Sequence, residues 1–191
     1  MISLNKLLEK SDHVKNSDLE LLRTHIEQVV LDYCEYSGIS YKEVVNLINN
    51  GSELARDEWN HIVKMGSDEE IFEFYNRSKY YIYEMMQPYL KPEKYNKDVN
   101  YLKILKFAKS IIKNKGRCRA LDFGGGVGAL CILLARANCE VTYVDLPGVI
   151  SEFARWRFNK HGFKIQQLSS RIDGVDLPNN EYDLIVSYAV I

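Results

Sequence analysis

The first half of the chain is written in a helical period. From Ser17 onward the apolar positions Leu19, Leu22, Ile26, Val29, Val30 and Tyr33 recur three and four apart, which predicts an amphipathic helix of about twenty residues stopped at Gly38. Ser40-x-x-Glu43 and Ser67-x-x-Glu70 match the reciprocal capping box, in which side chains satisfy backbone N–H groups that a helix start leaves unpaired. They predict helices starting near Tyr41 and Asp68. Gly51 and Gly66 bracket a further helical stretch carrying Leu54, Ala55, Trp59 and Ile62. Beyond it, Tyr75, Tyr80, Tyr81, Tyr83 and Tyr89 crowd one expected helix together with Ile71, Phe72, Phe74, Met85 and Met86. That band is too wide for a single buried stripe, so more than one face is expected to be covered, by packing or by a ligand. Pro88 and Pro92 are expected to interrupt the chain before a last helical segment at 99–113.

The period then changes. Strand-like runs at 118–123, 140–144, 164–168 and 182–190 alternate with helical runs at 128–137 and 149–160. This βαβαβ order implies an α/β fold with a parallel, twisted sheet of about four strands. The expected division is therefore a helical N-terminal region over 1–116, acting as lid or cap, and a sheet domain over 117–191. The last apolar run carries no charge after Asp183. A strand of that kind left at a sheet edge is a pairing hazard, so the chain is expected to be incomplete, or its edge to be covered by self-association.

Charge and composition narrow the function classes. The 191 residues carry 25 basic and 26 acidic side chains, a net charge of −1, so no global field recruits nucleic acid or an anionic membrane. A small-molecule partner is the expectation. No apolar run approaches the 18 or so residues that a membrane span needs, and the segment after Met1-Ile2-Ser3 is charged rather than signal-like, so a cytoplasmic protein is expected. Cys34, Cys118, Cys131 and Cys139 show no Cys-x-x-Cys spacing and read as small buried hydrophobes, with no metal site.

The candidate chemistry lies at Leu121-Asp-Phe-Gly-Gly-Gly-Val-Gly128, a strand running through a glycine turn into a helix. Glycine alone lets a backbone turn tightly and approach a nucleotide-like ligand closely. Asp145 closes the second strand, where a carboxylate can accept two hydrogen bonds from ribose hydroxyls. To this point two ligands fit, because Gly124-x-Gly126-x-x-Ala129 also satisfies the dinucleotide fingerprint. Asp122 separates them. A buried carboxylate two residues before the first glycine repels a pyrophosphate and attracts a ligand carrying an ammonium and a sulfonium.

With Asp122-Phe-Gly-Gly-Gly-Val-Gly128 and Asp145-Leu146, the chain resembles the class I S-adenosylmethionine-dependent methyltransferases. Asp173-Gly-Val-Asp-Leu-Pro178 followed by Tyr182-Asp-Leu-Ile-Val-Ser187 is similar to that family's segment joining strands three and four, and the resemblance covers residues 118–190. It implies a Rossmann-like sheet binding S-adenosylmethionine and releasing S-adenosylhomocysteine. By position, Gly124, Gly125 and Gly126 would pass under the methionine part, with backbone from Phe123 onward at its amino-acid end. Asp122 would orient the turn or meet the ammonium through water, Asp145 would hold the ribose, and Leu146 would lie against the adenine. Asp173 is matched to the acid that reads the adenine amino group, and Ser187 and Tyr188 fall near the acceptor. Methyl transfer is largely placement, with a general base where the acceptor must lose a proton. His13, His25, His61 and His161 are poor candidates, and no side chain is assigned as catalytic. A nicotinamide-dependent oxidoreductase and a non-catalytic cofactor-binding fragment stand as the alternatives.

Overall fold

The structure, a computed structural model, describes residues 16–95 and 97–188. His13 and the last residues of the expected final strand, 189–190, lie outside the described residues. The first half is helical: α1 (Asn16–Ser37), α2 (Tyr41–Asn49), α3 (Gly51–Ile62), α4 (Asp68–Arg77), α5 (Tyr81–Leu90), α6 (Pro92–Tyr95) and α7 (Lys97–Lys115). The capping residues act as their spacing predicts, with Ser40 accepting from Glu43 N–H and Ser67 from Glu70 N–H. Glu70 reaches back further than the box requires. Its Oε2 accepts from the N–H groups of Lys64, Met65 and Gly66 at 3.1, 2.8 and 2.9 Å, tying down the whole loop before α4.

Two expectations need correcting. The tyrosine-rich band is not one helix but two, α4 and α5, separated at Ser78–Tyr80. The break is held from outside: Glu58 of α3 accepts from the Ser78 hydroxyl and from the N–H groups of Lys79 and Tyr80. Ser78 Oγ then accepts from Tyr81 N–H at 3.0 Å, which starts α5. The second correction is Pro88, which lies inside α5 rather than ending it. It sits in the last turn, where one missing N–H costs only one ladder bond.

The sheet contains β1 (Arg119–Phe123), β2 (Glu140–Asp145), β3 (Gln166–Ser169) and β4 (Leu184–Ser187), with α8 (Ala129–Arg136) and α9 (Val149–Lys160) as the crossovers. All pairings are parallel in the order β3-β2-β1-β4, the Rossmann-like arrangement expected of the α/β class. Strand order reverses between β1 and β4, the switch point beside which open α/β sheets bind ligands at the carboxyl ends of their strands. The register aligns Phe123 with Val144 and with Ser187, and Asp145 with Ser169, so the carboxyl ends of the four strands form one rim. Its glycine turn leads into α8, buried along almost its whole length from Ala129 to Leu134.

Helices and sheet share one apolar core. Leu22, Ile26, Val29 and Val30 of α1 belong to the same buried cluster as Cys131 and Leu134 of α8 and Phe153 and Phe158 of α9. Tyr33 stands edge-on to Phe153 with ring centres 5.1 Å apart. The contact also has a polar centre: fully buried Asp32 accepts from Gln28 Nε2 and Arg157 Nε at 2.9 Å each and meets Lys160 Nζ at 3.0 Å and His161 Nε2 at 2.8 Å. These contacts seat the helical region beside the rim of the sheet.

Candidate functional site

The glycine turn is built onto β2. Gly124 and Gly125 both donate their N–H to Val144 O, at 2.8 and 3.1 Å, and the Tyr143 hydroxyl donates to Gly126 O at 2.9 Å. Gly126 has φ +54, a backbone shape that asks for glycine, and it packs against the flexible end of Met85, whose Cε would lie 2.8 Å from an added Cβ. Its N–H donates to Asp145 Oδ2 at 2.6 Å, while Leu146 N–H donates to Oδ1 at 2.7 Å. Burial pushes the Asp145 carboxyl up, and these two backbone donors offset part of the rise. Asp145 thus joins the turn after β1 to the turn after β2, which also explains why it does not cap α9, whose N-cap is Gly148.

Above the rim lies a cavity of about 220 Å³. Phe123, Gly124 and Gly126 border it from the glycine turn, Asp145, Leu146, Ile150 and Ser170 from the β2 and β3 ends, and Tyr75, Tyr81 and Met85 from the helices. Burial raises the phenols of Tyr75 and Tyr81, so both keep their protons. A smaller cavity of about 30 Å³ adjoins it, sharing Met85, Gly124 and Gly126 and lined further by Asp122, Gly125, Lys97 and Tyr188. Asp122 is 3% exposed. Burial pushes its carboxyl up to about 6, aided by the charge of Asp145 and opposed by the Cys131 thiol, which donates to Oδ2 at 3.2 Å, and by the charge of Lys97.

Of the residues singled out from sequence, Phe123, Gly124, Gly126, Asp145 and Leu146 line the larger cavity, and Asp122 and Gly125 line the smaller one. Asp173 is on neither wall. It is exposed in the turn after β3, where Arg171 Nε donates to its Oδ1 at 3.2 Å, and Ser170 is the residue of that segment that borders the cavity. Tyr188 borders the smaller cavity, its hydroxyl accepting from Asn100 Nδ2 at 3.1 Å. The described histidines, His25, His61 and His161, line neither cavity. His25 is wholly buried in the core, where burial and the charge of Arg157 hold it down at about 3, in its neutral form. His161 caps the C-terminal end of α9 and also hydrogen-bonds Asp32, a role that its neighbourhood in sequence does not announce.

Sequence reasoning passes over Lys97 and Cys131 as site residues, while Ser170 is a competitor to Asp173 after the third strand and Met85 a member of the tyrosine-rich band. The tyrosine band signalled that α4 and α5 cover something, but not which rings face it. Cys131 is buried as expected yet serves as a donor to Asp122, a role readable only once α8 is seen to begin behind β1. Among the described residues, no group of three His, Cys, Asp or Glu side chains is placed to hold a metal ion.

Residues 120–191 match a family described as a methyltransferase domain, so the resemblance carried by the glycine turn is established over that segment. No curated protein matches. Among solved structures, a protein from Methanococcus maripaludis assigned as an S-adenosyl-L-methionine-dependent methyltransferase is 26% identical, with a TM-score of 0.38 over 45% of this chain and 42% of its own. A protein from Listeria monocytogenes assigned as a class I S-adenosylmethionine-dependent methyltransferase is 14% identical, with a TM-score of 0.43 over 91% of this chain and 59% of its own. The S-adenosylmethionine-dependent methyltransferase SibL, in its apo form, is 17% identical, with a TM-score of 0.40 over 85% and 46%. The chain thus spans between 42% and 59% of the length of these three proteins.

Proposed function

We propose that this chain binds S-adenosylmethionine along the rim of the sheet and serves its transfer of a methyl group to a small-molecule acceptor. The observation that carries the reading is the placement of two carboxylates, buried Asp122 and half-buried Asp145, on adjoining cavities around one glycine turn. A dinucleotide would bring its pyrophosphate against both acids, whereas an adenosyl ligand with cationic groups is attracted by them. The residues fit such a ligand. Gly124 and Gly126 border the larger cavity, and Asp145 offers carboxylate lone pairs beyond the two used by backbone N–H groups.

When bound, the cofactor would supply an electrophilic methyl group on a sulfonium. The chain's own part is placement and exclusion of water. Asp145 would hold the ribose hydroxyls, Leu146 and Ile150 would pack the base, and Tyr75, Tyr81 and Met85 would roof it. Near-neutral charge supports a small-molecule acceptor over nucleic acid, and no helix among the described residues is long and apolar enough to cross a membrane. Calorimetry with S-adenosylhomocysteine tests the reading. Binding with one site per chain is expected, and a folded protein that binds NADH but not S-adenosylhomocysteine would overturn it.

A further inference from the structure

We infer that Lys97 is the partner of the carboxylate at the amino-acid end of the ligand, so that Lys97 and Asp122 together make the smaller cavity a site for a zwitterion. The inference rests on the adenosyl-cofactor reading above and adds a residue that neither the glycine turn nor its neighbours in sequence announce. Lys97 opens α7 and is 7% exposed, unusual burial for a lysine. Its Nζ lies 4.5 Å from the ring centre of Tyr89, 5.5 Å from that of Tyr101 and 5.6 Å from that of Tyr188. Ring faces stabilise a cation through their quadrupole and leave its three N–H donors able to turn toward an anion.

The same cavity presents Asp122 and the backbone of Gly124 to Gly126. It therefore carries one acid and one base around a glycine turn, the charge pattern complementary to an α-amino acid, whose ammonium and carboxylate are borne on one carbon. Because the cavity shares Met85, Gly124 and Gly126 with the larger one, a ligand with its adenosyl part beside Asp145 would extend its other end toward Lys97. In the structure the space there, about 30 Å³, holds about one water. Seating the amino-acid end therefore displaces the side chains of Met85 and Lys97, both unbranched and adaptable. The Tyr89 and Tyr101 hydroxyls, 2.9 Å apart, bond each other and hold the rings that Lys97 lies against.

The test is a paired titration of wild type, Lys97→Met and Lys97→Arg. One ligand is S-adenosylhomocysteine, and the other is 5′-methylthioadenosine, which keeps the adenosyl group and lacks the amino-acid end. K97M should weaken S-adenosylhomocysteine by about 10-fold or more, the loss of one charge-assisted contact. Its affinity for methylthioadenosine should change by less than about twofold. K97R, which keeps the charge, should stay closer to wild type. Unchanged S-adenosylhomocysteine binding by K97M would overturn the inference, and so would an equal loss for both ligands, which is what a merely structural lysine gives. A wild type that binds methylthioadenosine as tightly as S-adenosylhomocysteine would overturn it too, while leaving the adenosyl reading intact. Binding of neither ligand would remove that reading and the inference together.

Discussion

At the scale of single residues, the two acids around the glycine turn behave differently, and the difference is measurable. Asp122 is buried with its carboxyl lifted from 3.8 to about 6, so between those values the folded chain holds a proton that the unfolded chain has lost. Stability contributed by this group is therefore greatest in acid and falls as pH rises toward about 6, a cost of about 3 kcal/mol for the ionised form. Asp122→Asn, which keeps an acceptor for the Cys131 thiol, should make the ligand-free protein more stable than wild type at about pH 8 and leave it little changed at about pH 4. Thermal unfolding at the two values checks this, and an equal gain at both would refute it. The same substitution should weaken a cationic ligand, because the charge that attracts it is gone. Asp145 carries its effect through two backbone hydrogen bonds as well as the proposed ribose contact. Asp145→Ala should accordingly lower affinity for S-adenosylhomocysteine by about 10- to 100-fold, read by calorimetry.

At the scale of elements, the helices are fixed by close approaches that invert ordinary propensity. Gly51 begins α3, and a Cβ there would lie 2.6 Å from Glu84 N and 2.7 Å from the Tyr83 carbonyl carbon in α5. Alanine is the better helix former by about 1 kcal/mol, yet Gly51→Ala should destabilise the protein by about 1–3 kcal/mol, because backbone cannot give way as a side-chain tip does. Urea unfolding of the variant gives the sign directly. The break between α4 and α5 is a second case of an element set from outside. The segment from Ile71 to Tyr89 reads as one aromatic-rich helix, but Glu58, 20 residues before Ser78, takes the donors that would have continued it. Local pattern finds helix starts such as Ser40 and Ser67 because both partners of each bond lie within three residues.

At the scale of the whole molecule, the same argument marks what the sequence disclosed of the site. The glycine turn, Asp122, Asp145 and Leu146 are neighbours along one βαβ unit, and their approach follows from the unit itself. Lys97, Met85 and the roofing tyrosines arrive from helices that no short pattern links to the turn. The Asp32–Arg157 pair is more remote still, 125 residues apart in sequence and 2.9 Å apart in space. Asp32 is held down at about 2: burial alone would raise it, and the bonds from His161 and Arg157 outweigh that. Asp32→Ala leaves Arg157 charged and unmatched in the core, and should cost about 3–5 kcal/mol of stability, measured by denaturant titration. Arg157 also donates through Nη1 to Val127 O at 2.7 Å, inside the glycine turn. The guanidinium is thus a strut with one foot on α1 and the other on the glycine turn. A ligand that stiffens that turn would then disfavour the local opening of α1 by the same free energy with which a well-seated α1 tightens the ligand. The helical region is in that sense a thermodynamic half of the proposed binding site, although none of the described side chains of α1 lines either cavity.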